Sequence, residues 1–173
     1  IGRLHISTNK NDILKSIIEN GKMKKNIVNQ TISPSMDIQV SSNFERQIFE
    51  SVGRESKKVN EIFSLFKTNN EFTFEKEVIN SFKKIYDASS CNDEETIETI
   101  KNVYQKYNYI ADPHTATGLK ALLDKNDNET WVSLACAHPS KFSESVNKAI
   151  NTKVNIPNDL LKLFDKKEKM TIL

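Results

Sequence analysis

Residues able to do chemistry gather at four places in the chain. Thr8-Asn9-Lys10-Asn11-Asp12 follows a short stretch, Ile1 to Ser7, that reads as a strand running into a helix. Ser33-Pro34-Ser35-Met36-Asp37 sets two hydroxyls and a carboxylate around a proline turn. Asp112-Pro113-His114-Thr115 packs an acid, a fixed φ, an imidazole and a hydroxyl into one helix start. Cys136-Ala137-His138-Pro139 places a thiol and a second imidazole at the end of an apolar run. In open α/β sheets, small ligands bind beyond the carboxyl ends of strands, where helix N-termini offer free N–H groups to anions. The junctions at Asn9 and at Cys136 to His138 suit that use. Each place also has a plainer reading: capping for Asn9 to Asp12, an N-cap with exposed neighbours for Asp112, a turn for His138, a small core residue for Cys136. No P-loop, GxSxG elbow or complete triad is present, and the three histidines lack zinc-ligand spacing. The residues alone leave two readings open, part of an α/β enzyme or a helical binding module.

The elements that must position these groups follow from apolar spacing. Ile13, Leu14, Ile17 and Ile18 form one helical face, closed by Asn20-Gly21. Residues 22 to 35 read as loop. Three amphipathic helices follow, carrying Phe44, Ile48, Phe49 and Val52, then Val59, Ile62, Phe63 and Phe66, then Phe74, Val78, Phe82 and Ile85. Asn92 or Asp93 caps a helix striped with Ile97, Ile100, Val103 and Tyr107. Asp112-Pro113 opens the next, since proline suits the first helical position. Thr130 to Cys136 reads as a second, buried strand. Helices around Phe142 to Ile150 and Leu160 to Phe164 end the chain. Two strands make a poor sheet. Further strands are therefore expected from residues outside this sequence, as the opening at Ile1 also suggests.

Composition narrows the class. At 173 residues the chain allows one domain with a real core. Its 25 Lys plus Arg stand against 23 Asp plus Glu, and both signs are interspersed, which argues against a dedicated nucleic-acid binder. The charged run from Lys162 to Lys169 is a solvated tail. No apolar run approaches the roughly 20 residues of a membrane helix. Two distant cysteines and no signal-peptide pattern point to a reducing, cytoplasmic setting.

Four segments together resemble one family. They are Ile6-Ser7-Thr8-Asn9-Lys10-Asn11-Asp12-Ile13-Leu14, the stretch from Ser33-Pro34-Ser35-Met36-Asp37 through Ser42-Asn43-Phe44-Glu45-Arg46, Asp112-Pro113-His114-Thr115-Ala116-Thr117-Gly118, and Ala137-His138-Pro139-Ser140-Lys141-Phe142. In this order they resemble the C-terminal portion of threonine synthase. The resemblance implies a helix-rich α/β fold, part of the pyridoxal-phosphate-enzyme fold of the tryptophan synthase β type, with the N-terminal part missing. Residues 1–173 would be a single incomplete domain, the C-terminal portion of the cofactor domain with a helical extension. It also implies conversion of O-phospho-L-homoserine and water to L-threonine and phosphate, with pyridoxal phosphate as electron sink.

In that family the lysine that forms the Schiff base, and the glycine-rich phosphate loop, lie upstream of the matching region. No catalytic residue is therefore expected in this segment, and the chain alone should be inactive. The family's small hydroxyl residue facing the pyridine nitrogen is usually Thr, and here the position holds Cys136. A thiol is a weaker hydrogen-bond donor, so the role survives in weakened form or the bond is dispensable. By their place at the junctions, Asn9 and His138 are the substrate-side candidates. Asp112 and His114 match the family motif without an assigned task, and no metal is implied. The alternatives are a non-catalytic helical binding module derived from the family, and a related phosphate-eliminating enzyme on the same fold. Polar clusters at strand ends favour the enzyme.

Overall fold

The computed structural model describes residues 2–171, so Ile1 of the opening strand lies outside them. In chain order the elements are β1 (Leu4–Thr8), α1 (Ile13–Asn20), β2 (Lys22–Lys24), α2 (Glu45–Ser51), α3 (Ser56–Asn69), β3 (Glu71–Thr73), α4 (Lys76–Ile85), β4 (Tyr86–Ser90), α5 (Asp93–Tyr107), α6 (Pro113–Leu123), α7 (Ser143–Ile150) and α8 (Asn158–Phe164). Strands β1 and β4 pair in parallel from Leu4 opposite Tyr86 to Thr8 opposite Ser90. Strands β2 and β3 form a small antiparallel ribbon.

Local chemistry explains the boundaries. Gly21 ends α1 with φ 69°, and a Cβ there would run into the Ile79 side chain. The left-handed backbone therefore favours glycine, and for any larger residue the Ile79 side chain of α4 would have to shift. At the start of α5, Asn92 and Glu95 form a reciprocal capping box, each side chain accepting the other's backbone N–H. Asn92→Ala should remove about 1 kcal/mol of stability, read as a lowered urea midpoint with an unchanged slope. A change of slope instead would mean that the cap alters the unfolded ensemble.

The apolar stripes pack into two cores. In the first, α1, α2, α3 and α4 bury Ile17, Ile48, Val59, Phe66 and Phe82 around the β1–β4 pair. The ring of Phe82 meets Phe44 at 5.3 Å and Phe74 at 5.4 Å between centroids. In the second, α5, α6 and α7 close over Ile100, Ala116, Val146 and Ile150. Among the described residues, no helix is long and apolar enough to cross a membrane.

One strand reading needs correction, and three strands lie within the chain where none was expected: β2, in residues read as loop, β3 and β4. Thr130 to Cys136 is irregular chain, and Val132 and Leu134 are 81% and 79% exposed. A strand exists only where a neighbour takes its N–H and C=O groups, and among the described residues none runs alongside this segment. The parallel partner of β1 is instead Tyr86–Ser90, whose Asp87 and serines gave no apolar run. Asp87 is useful there, because Arg3 donates to its carboxylate at 2.7 Å across the pair.

Candidate functional site

The loop after β1 is tied down by side chains. Asn9 is 1% exposed. Its Nδ2 donates to Asp37 Oδ1 and Thr31 Oγ1, both at 2.8 Å, with Ser33 Oγ at 3.0 Å. Its Oδ1 accepts the Asn11 N–H at 2.9 Å. Asn11 Nδ2 and Thr31 Oγ1 also donate to Asp37 Oδ1, and the Thr31 N–H reaches Asp37 Oδ2 at 3.0 Å. The capping reading of Asn9 to Asp12 is thus replaced. Asp12 stands before α1 without a side-chain cap bond, while Asn9 and Asn11 hold the loop of residues 29 to 37 against the end of β1.

A second carboxylate organises the other two segments. Asp112 caps α6 and is 1% exposed, and Pro113 to Thr117 are buried with it, so its neighbours are not the exposed ones of an ordinary cap. Its Oδ1 accepts the His114 N–H and the ring Nδ1–H, both at 2.9 Å. Its Oδ2 accepts the Thr115 hydroxyl, the Thr115 N–H at 3.3 Å, and the Ala137 N–H at 3.1 Å. Burial opposes ionisation of this carboxyl. The donors from Thr115, Ala137 and His114 outweigh burial and hold it below its ordinary value.

His114 links this cluster to the first. The backbone N–H of Ser35 donates to its Nε2 at 3.2 Å. The proton therefore sits on Nδ1, facing Asp112, and the tautomer is set by its two partners. The His114 ring also lies 4.7 Å from the Phe142 ring. All four motif-bearing stretches are joined in this way: Asp37 binds the first to the second, His114 the second to the third, and Asp112 the third to the fourth.

At the far end, Cys136 is exposed, so it is not the small core residue that its apolar neighbours suggested. Its N–H donates to Thr115 Oγ1 at 2.8 Å. Partial burial and the nearby Asp112 carboxylate push the thiol pKa up, against a smaller opposite effect of Thr115, so the thiol is uncharged at neutral pH. His138 is exposed at the surface, where its Nδ1 accepts the Ser140 N–H at 3.2 Å and caps the short 3-10 turn Pro139–Phe142. Asn9 and His138 are not brought together. Sequence reasoning missed Thr31 and Asn11 as network members and gave Asp37 only a place in a helix start; an acid two residues past a Ser-Pro-Ser turn was the one available sign. Among the described residues no group of three or more metal-ligating side chains occurs.

Comparison with known proteins bears on this arrangement. The family described as "Threonine synthase, C-terminal" matches residues 115–173. A threonine synthase of Pseudomonas aeruginosa is 38% identical over the whole chain. A solved structure, a PLP-bound threonine synthase from Brucella melitensis, superposes with a TM-score of 0.92 at 38% identity over the whole chain. Along its whole length the chain is similar to the C-terminal portion of threonine synthases. The threonine synthase structure from yeast gives a TM-score of 0.89 at 36% identity over 97% of the chain. The chain spans 38% of the length of the Pseudomonas and Brucella proteins. The helix-rich α/β fold expected from the resemblance is therefore the observed one, that of the C-terminal portion of threonine synthase.

Proposed function

We propose that this chain is the part of a threonine synthase that presents Cys136 to the pyridine nitrogen of pyridoxal phosphate, in an enzyme converting O-phospho-L-homoserine and water to L-threonine and phosphate. When bound, the cofactor supplies an electron sink at the substrate's α-carbon. The chain's residues suit one edge of such a ring. Cys136 offers a small uncharged group at the surface, anchored through its own N–H and that of Ala137. The one carboxylate nearby, Asp112, is committed to internal donors and is withheld from the ring. The four glycines are scattered and form no phosphate loop, so the cofactor phosphate would be held elsewhere.

The observation that carries this reading is the single buried hydrogen-bonded network joining all four family-matching stretches. A binding module would have no use for it. His138 is the better substrate-side candidate of the two, because it is exposed, whereas the Asn9 amide is fully committed to its own loop.

A full-length enzyme carrying this segment together with the upstream lysine and phosphate loop, supplied with pyridoxal phosphate and O-phospho-L-homoserine, should release inorganic phosphate and L-threonine in equal amounts. Phosphate without threonine would assign it to a different phosphate-eliminating reaction, and no turnover would favour the binding module. Cys136→Thr should keep or raise kcat within about threefold, since both residues are small and neutral. A large loss would mean that the thiol has a separate task.

A further inference from the structure

We propose that Thr115, braced by Asp112, is a positioning residue that fixes the Cys136-Ala137 step and so aims the thiol. The inference rests on the role given above to Cys136 and names the device that sets its orientation. Residues 130 to 137 form neither strand nor helix. Among the described residues, the amides of residues 130 to 135 have no hydrogen-bond acceptor, yet the next two both do. Cys136 N–H enters Thr115 Oγ1 at 2.8 Å, and Ala137 N–H enters Asp112 Oδ2 at 3.1 Å. The acceptors are the N-cap and a first-turn residue of α6, and both are almost solvent-free, Thr115 at 3% and Asp112 at 1% exposed.

The direction of each bond is determined. The Thr115 hydroxyl has one proton, which it gives to Asp112, leaving its oxygen lone pair to receive Cys136. Serine could replace it in that relay and valine could not. The contacts reach from the start of α6 across 21 and 25 residues, so they tie irregular backbone to a helix at the residue proposed to meet the cofactor. A misplacement of a reacting group by about 1 Å can cost about a hundredfold in rate, which gives such a bracket a chemical purpose.

The test combines hydrogen exchange with kinetics on the full-length enzyme carrying this segment, loaded with pyridoxal phosphate. The Cys136 and Ala137 amides should exchange at least about tenfold more slowly than those of Val132 to Ala135. Thr115→Val should abolish the protection at Cys136 and lower kcat about tenfold with KM within about twofold, while Thr115→Ser restores both. Equal exchange along residues 132 to 137 in the unmodified protein would overturn the proposal, and that measurement needs no variant to fold. So would Val and Ser variants that lose kcat alike, since a merely structural loss would not be rescued by a hydroxyl. If the unmodified protein forms no threonine, the reading of its activity fails, while the exchange pattern still decides whether the bracket exists.

Discussion

Asp112→Asn should cost the fold about 3–5 kcal/mol at neutral pH, the range expected for breaking a buried, multiply bonded charge. The carboxylate takes donors on both oxygens, from His114, Thr115 and Ala137. Asparagine has one acceptor oxygen, and its amide protons would face whichever donors met the other. At least one buried N–H or O–H would be left without a partner, and the His114 ring would lose its orienting acceptor or the Cys136-Ala137 turn its anchor.

The pH dependence supplies a second signature. Because the folded state holds the Asp112 pKa below its unfolded value, near about 3.9, its contribution is complete above that value and is lost as pH falls through the folded pKa. The Asn variant lacks this contribution. The gap between the two proteins in urea unfolding should therefore narrow as the solution is acidified below about pH 4. A loss under about 1 kcal/mol at neutral pH, the range of a single ordinary hydrogen bond, would remove Asp112 as the hub of the network.

Asn9→Asp should be nearly as damaging, by about 3 kcal/mol or more at neutral pH. The amide now donating to Asp37 at 2.8 Å would become a second carboxylate at that distance, in a loop where Asn9 is 1% exposed. Two such groups cannot both ionise cheaply, so the pair would titrate above the ordinary carboxylate range in the folded state. A raised folded pKa means that the penalty is present at neutral pH and fades as pH falls and one carboxyl becomes a donor to the other. Asn9→Leu removes the same donors without adding charge. Thermal melts from about pH 4.5 to about pH 8 should show the Asp variant recovering in acid relative to the Leu variant. Parallel curves would mean that Asn9 acts by shape alone.

What the sequence disclosed was what neighbours in the chain decide. Gly21 after an apolar stripe, the Asn92 to Glu95 box and the Phe and Ile spacing of α2 to α4 are all local patterns, and each appears in the fold. The pairing of β1 with β4 is not local. It joins residues such as Ser7 and Ser89, whose side chains carry no periodic signal. Thr130 to Cys136 erred in the opposite direction, since its apolar content suggested burial but strand formation depends on a partner backbone.

The same divide separates the site residues. Cys136 and His138 could be found as types at a junction, and the family resemblance gave the four stretches an order. That Ser35 would donate to His114, 79 residues away, or that Asp112 would be buried beneath Ala137, depends on tertiary packing that no short window contains. The plain reading of Asp112 as a helix cap was right about its bonds to His114 and Thr115 and wrong about its surroundings.

In the proposed arrangement an uncharged thiol, held by the Asp112 and Thr115 bracket, meets the ring nitrogen of the cofactor. The most direct measurement is the nitrogen NMR shift of pyridoxal phosphate labelled at its ring nitrogen, bound to the full-length enzyme carrying this segment at neutral pH, beside the Cys136→Asp variant. An unprotonated ring nitrogen that becomes protonated in the Asp variant is the expected result. A fully protonated nitrogen in the unmodified protein, or a shift indifferent to residue 136, would contradict the account.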